Sequence, residues 1–134
     1  MPMSRRLPAT SAWTIVALAG LIWAVIALAF AALGPGKYVP HVFFSYHIEH
    51  FVAFYIVALL SAAGLPRTRL YRIGLCWALM AVVLGLVRSL TPAHRYSAAE
   101  DTVADIAGAF AALGPIWIGR FRELASRSLG TEAN

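Results

Sequence analysis

Apolar positions in this chain gather into four long runs, separated by short segments that carry most of the charge. A membrane-crossing helix needs about 20 largely apolar residues, because the hydrocarbon core is about 30 Å thick and each residue rises about 1.5 Å. The first run extends from Ala12 to Leu33 with no charged residue and is closed by Gly34-Pro35-Gly36. That triplet ends a helix by backbone freedom and by loss of an amide donor. The second run covers Tyr46 to Leu65; it opens with His47, Glu49 and His50 and stops at Gly64 and Pro66. The third spans Leu70 to Leu90, ahead of Thr91-Pro92. The fourth begins at Ser97 and reaches Ile118. Its start is marked by Ser97-Ala98-Ala99-Glu100, a capping-box pattern in which hydroxyl and carboxylate satisfy the first free amides. Beyond Gly119, residues 120–134 are polar and charged, and are expected to form a tail with a short, fraying interfacial helix.

Composition agrees with lipid as the solvent. Of the 134 residues, 60% are hydrophobic and 13% charged, about half the charge of an ordinary soluble domain. The net charge of +5 would raise nucleic acid as a partner in a soluble protein. Here the basic residues flank the apolar runs, as topology signals do, and no stacking module or basic stripe accompanies them. Cys76 is the single cysteine, so neither an internal disulfide nor a multi-cysteine metal site can form within one chain. The first run competes with a signal peptide, since Arg5 and Arg6 precede it and Ala29-Phe30-Ala31 resembles a cleavage site. Its length exceeds the usual signal core of about 7–15 residues, which favours a retained helix.

Orientation follows from the basic residues. Arg5, Arg6, Arg67, Arg69, Arg72, Arg120, Arg122 and Arg127 fall on one side of a four-crossing arrangement. Lys37, Arg88 and Arg95 fall on the other. Positive residues accumulate in cytoplasmic loops, so the expected fold is an all-α integral membrane bundle of four transmembrane helices with both termini in the cytoplasm. It forms one domain over residues 1–134, with residues 120–134 as its cytoplasmic tail. A bacterial plasma membrane is the expected location.

The remaining polar residues are one-sided. His41, His47, His50 and His94 all belong to the outer end, with Glu49, Glu100, Asp101 and Asp105. Ionisable residues inside membrane helices are costly and usually mark a site or pair with one another. Asp101, Asp105 and Gly108 stand at i, i+4 and i+7, one face of a helix. His47 and His50 share a face of the second helix beside Phe51 and Phe54. Arg95 could reach either aspartate, and its forked guanidinium suits carboxylate or phosphate. Plainer roles stand beside these. Asp101 can complement a helix dipole, Asp105 can bridge to Arg88 or Arg95, and the histidines can sit at the interface. Glu100 reads as a cap, and Gly108 with Ala112 as small-residue packing. Zinc on His47, His50 and an aspartate is chemically conceivable, but the spacing lacks the His-Glu-x-x-His signature. No metal or cofactor is therefore expected. Trp13, Trp23, Trp77 and Trp117 read as packing or interface anchors.

His50-Phe51 at the opening of the second helix, Pro92-x-x-Arg95, and Asp101-x-x-x-Asp105-x-x-Gly108 resemble the VanZ-like family of small membrane proteins. That family's pattern is a His-Phe pair, then an acidic residue and a Gln near the end of the following helix. Pro-Gly-Arg, Asp-x-x-x-Asn and Gly complete it. The resemblance covers about residues 46 to 114 and extends to the helix count. It carries over to His50, Arg95, Asp101 and Gly108. Asp105 stands where the family shows Asn, and Arg88 lies where an acidic residue is expected, near Leu86 to Ser89. The family's namesake is associated with low-level teicoplanin resistance, so the resemblance implies a cell-envelope role.

Three functions are consistent with this reading. In the first, the outer end binds an anionic lipid headgroup or an isoprenoid-linked wall precursor. Arg95 and Arg88 would touch phosphate there, and His47, His50, Asp101 and Asp105 would orient it. In the second, the protein is an enzyme on that lipid, with His50, Asp101 and Asp105 as candidate catalytic groups, since imidazole beside carboxylate suits proton transfer near neutrality. No Ser or Cys nucleophile stands in a recognisable arrangement, which counts against acyl chemistry. In the third, the chain is a structural subunit that assembles with itself or a larger membrane partner.

Overall fold

The computed structural model describes residues 11–33, 45–90 and 98–131. Arg95 and Ser97, together with His41 and His94, lie outside the described residues. The described chain is all helical, in the order α1 (Ala12–Leu33), α2 (Tyr46–Gly64), α3 (Leu70–Ser89) and α4 (Ala98–Thr131). Each helix is long and apolar enough to cross a membrane. At 22 residues, α1 measures about 33 Å, a close match to the hydrocarbon thickness. Only helices or closed barrels can satisfy every backbone group in lipid. Four apolar helices therefore suggest a bilayer environment.

The fourth helix departs from expectation. It does not end near Ile118 but continues through Pro115 and Gly119 to Thr131. The apolar run ends where lipid would end, yet nothing there stops a backbone helix. A single Gly costs about 1 kcal/mol relative to Ala, and the Arg, Glu, Leu and Ala residues that follow are good helix formers. At 34 residues α4 is about 51 Å long, well beyond one bilayer core.

The bundle is organised around α2 and α4, which share the most extensive interface; α1 leans on α2, and α3 on α4. The interior has two apolar clusters. One holds Ala58, Leu70, Ile73, Ala109, Ala112 and Leu113, and the other Leu28, Phe54 and Ala81. Trp77 packs against both, with its ring edge-on to Phe54 at 6.0 Å between centroids. Its Nε1–H donates to Ser61 Oγ at 3.0 Å, and that hydroxyl donates to the Val57 carbonyl at 2.7 Å. Both polar groups are thereby satisfied in an apolar setting, as burial requires. Ser61→Ala leaves the indole N–H without its acceptor, at an expected cost of about 1–3 kcal/mol. A drop in unfolding midpoint in detergent checks this.

Most large apolar side chains face outward. Trp13 is 83% exposed and Trp23 73%, while buried positions favour Ala, Gly and a few larger residues. Small residues inside and large ones outside is the packing expected where lipid, not water, surrounds the helices.

Candidate functional site

At one end of the bundle the start of α2, the end of α3 and the start of α4 meet. Their ionisable side chains form two stacked rungs. The i, i+3 spacing of His47 and His50 on α2 faces the i, i+4 spacing of Asp101 and Asp105 on α4, so the four groups pair in order.

The outer rung joins His47, Asp101 and Glu100. His47 Nδ1 and Asp101 Oδ1 share a hydrogen bond of 2.9 Å, in which the ring N–H donates to the carboxylate. The other ring nitrogen, Nε2, lies 3.3 Å from Glu100 Oε2. Exposure is graded across this rung. Glu100 is open, the His47 side chain is 45% exposed, and Asp101 is fully buried. Glu100, expected as a cap, reaches across to the histidine.

The inner rung joins His50, Asp105 and Arg88, and it is closed. His50 Nδ1 lies 3.1 Å from Asp105 Oδ1, and Arg88 Nη1 lies 3.5 Å from Asp105 Oδ2. His50 and Arg88 are almost wholly buried, and Asp105 completely so. Arg88 stands in the last turn of α3, where the helix dipole also favours a cation. The bridge from Asp105 to Arg88 is formed; Arg95 is not among the described residues. That pairing holds the Arg88 guanidinium inside the bundle. Asp105 and Arg88 thus meet between α4 and α3.

Hydrogen bonding on the rungs is incomplete among the described residues. Asp101 Oδ2 and both terminal nitrogens of Arg88 are buried without an acceptor or donor in good geometry. Buried polar atoms are nearly always satisfied by protein or by ordered water. No three His, Cys, Asp or Glu side chains among the described residues converge closely enough to hold a metal ion.

Gly108 seals the rungs from below. A methyl group at Gly108 would run into the Phe51 carbonyl oxygen and lie 3.1 Å from its Cα. Here α2 and α4 touch backbone to backbone, which holds His50 opposite Asp105. Beside the rungs, a groove of about 380 Å³ opens between α3 and α4, lined in part by Gly85, Ser89, Ala98 and Thr102.

The sequence expectation of one polar cluster thus places His47, His50, Asp101, Asp105 and Arg88 together, while Arg95 lies outside the described residues. What spacing did not reveal was the division into a half-exposed and a buried rung, or the contact of Glu100 with His47. The one-residue difference between i+3 on α2 and i+4 on α4 was the available signal. No protein-family model, curated protein or solved structure matches this chain.

Proposed function

We propose that this is a VanZ-like multi-pass protein of the bacterial plasma membrane, with both termini cytoplasmic. In this reading its outer end binds a phosphate-bearing lipid headgroup, of an anionic lipid or a lipid-linked wall precursor. The observation that carries it is the pairing of two histidines on α2 with two fully buried aspartates on α4. Charges so placed are expensive in lipid and are usually functional. His47 is the accessible member and makes the first contact with the headgroup. Asp101 holds the ring in one orientation through Nδ1. Arg95, the arginine of the Pro92-x-x-Arg95 motif, supplies the forked phosphate contact. The inner rung holds α2, α3 and α4 in register, and the neighbouring groove accepts part of a lipid tail.

A second reading is favoured by the 2.9 Å contact between Asp101 and His47. A carboxylate that orients an imidazole leaves the other ring nitrogen to move a proton, which is the arrangement general acid–base catalysis uses. The protein would then alter the lipid it binds.

Both readings meet in one experiment. A deletion strain should lose glycopeptide or envelope-stress tolerance, and the unaltered gene should restore it. Asp101→Asn and Arg95→Ala, at equal abundance in the membrane, should not. Full complementation by both variants removes the site from consideration. Lipid extracts of the same strains separate the readings: an unchanged mass spectrum favours binding, and an accumulated precursor favours catalysis.

A further inference from the structure

The opposite end of the bundle holds a second feature, unrelated to the rungs. Between the start of α3 and the middle of α4 lies an apolar cleft of about 290 Å³, lined by Leu70, Tyr71, Phe110, Leu113, Gly114 and Trp117. That is near the lower end of ligand-pocket size, about 300–1,000 Å³. A methyl group built on Gly114 meets nothing within 4 Å, so the cleft is open space on that side. Leu70 and Leu113 form a buried floor, whereas Phe110 and Trp117 stand exposed as walls.

The cleft continues into a second cavity of about 220 Å³. The two share Leu70, Tyr71 and Trp117, and the second adds Arg69 and Arg120. A third guanidinium stands close by. Arg72 Nε–H donates to the Tyr71 hydroxyl at 3.3 Å, with the guanidinium 5.9 Å from the ring centre. Glu123 is the one acid at this end among the described residues, and it does not line either cavity. An apolar slot thus opens into a mouth that carries only positive charge.

We propose that this cleft is a binding site for an anionic phospholipid of the adjoining leaflet. One acyl chain lies along Phe110, Leu113 and Trp117, and the phosphate is held by Arg69 and Arg120. The charge of the mouth selects the headgroup, because basic residues between membrane helices attract anionic lipid. Tyr71 and Trp117, which line both cavities, suit a mouth at headgroup depth, where Trp and Tyr are enriched. The extension of α4 past the bilayer core is what brings Arg120 to the mouth. This inference does not depend on the function proposed for the histidine-bearing end.

The test is native mass spectrometry of the full chain in detergent, titrated separately with dioleoyl phosphatidylglycerol and dioleoyl phosphatidylcholine. The unaltered protein should retain one phosphatidylglycerol with about tenfold preference over phosphatidylcholine. Arg69→Gln/Arg120→Gln alters only exposed side chains and should reduce that preference to about twofold or less. Gly114→Trp fills the slot and should abolish retention of both lipids without lowering the unfolding midpoint. Equal affinity for the two lipids in the unaltered protein overturns the proposal, as does a preference that survives in the double variant. A dimer that Gly114→Trp disperses would mean a second copy occupies the cleft, and would also overturn it.

Discussion

Arg88→Met is expected to destabilise the protein by about 3–5 kcal/mol, the larger of the two strongest effects foreseen here. The guanidinium is 4% exposed and its carboxylate partner, Asp105, is fully buried. Removing the cation leaves a carboxylate in an apolar interior with, among the described residues, His50 beside it, and its desolvation is no longer offset. Asp105→Asn should be similarly costly, because the orphaned charge is then Arg88. The two changes together behave differently. Arg88→Met/Asp105→Asn removes both charges and keeps an amide to face His50, so stability should return to within about 1 kcal/mol of the starting value. An SDS or thermal unfolding series in detergent gives all four corners of this cycle. Additive losses would show that the two groups do not depend on each other.

Gly108→Leu is the second. Even the Cβ of an alanine meets the Phe51 backbone, with the carbonyl carbon 3.0 Å away. A backbone cannot rotate aside as a side chain can, so α2 and α4 must separate. Gly108→Ala should cost about 1–3 kcal/mol, as overpacking does, and Gly108→Leu more. Separation also pulls His50 from Asp105 and His47 from Asp101. The readout beyond stability is therefore a change in the His47 imidazole signals by NMR in micelles. A leucine variant as stable as the parent, with those signals unmoved, would show that the close approach of the two helices is not needed.

The helices were largely legible in the chain. Their starts fall at or within one residue of the expected positions, as do the ends of α1, α2 and α3. Apolar run length and the breakers at Gly64, Pro66 and Pro92 are local signals, and a helix in lipid is a local object. The end of α4 was not legible in the same way, because hydropathy reports where lipid stops and not where hydrogen bonding stops. The same distinction hid the second site. Arg69 and Arg120 read as topology signals, and only the continued helix brings Arg120 beside Tyr71 and Trp117.

For the polar end, the chain itself determined that charge would gather there and on which helix faces. Spacings of three and four residues decide a face, and the cost of charge in lipid decides that the faces must meet something. Which groups meet was settled by packing alone. The close contact at Gly108 sets how α2 slides along α4, and that offset makes one rung half open and the other buried. Partner choice depends on the relative height and rotation of helices about fifty residues apart in sequence, which no local pattern encodes.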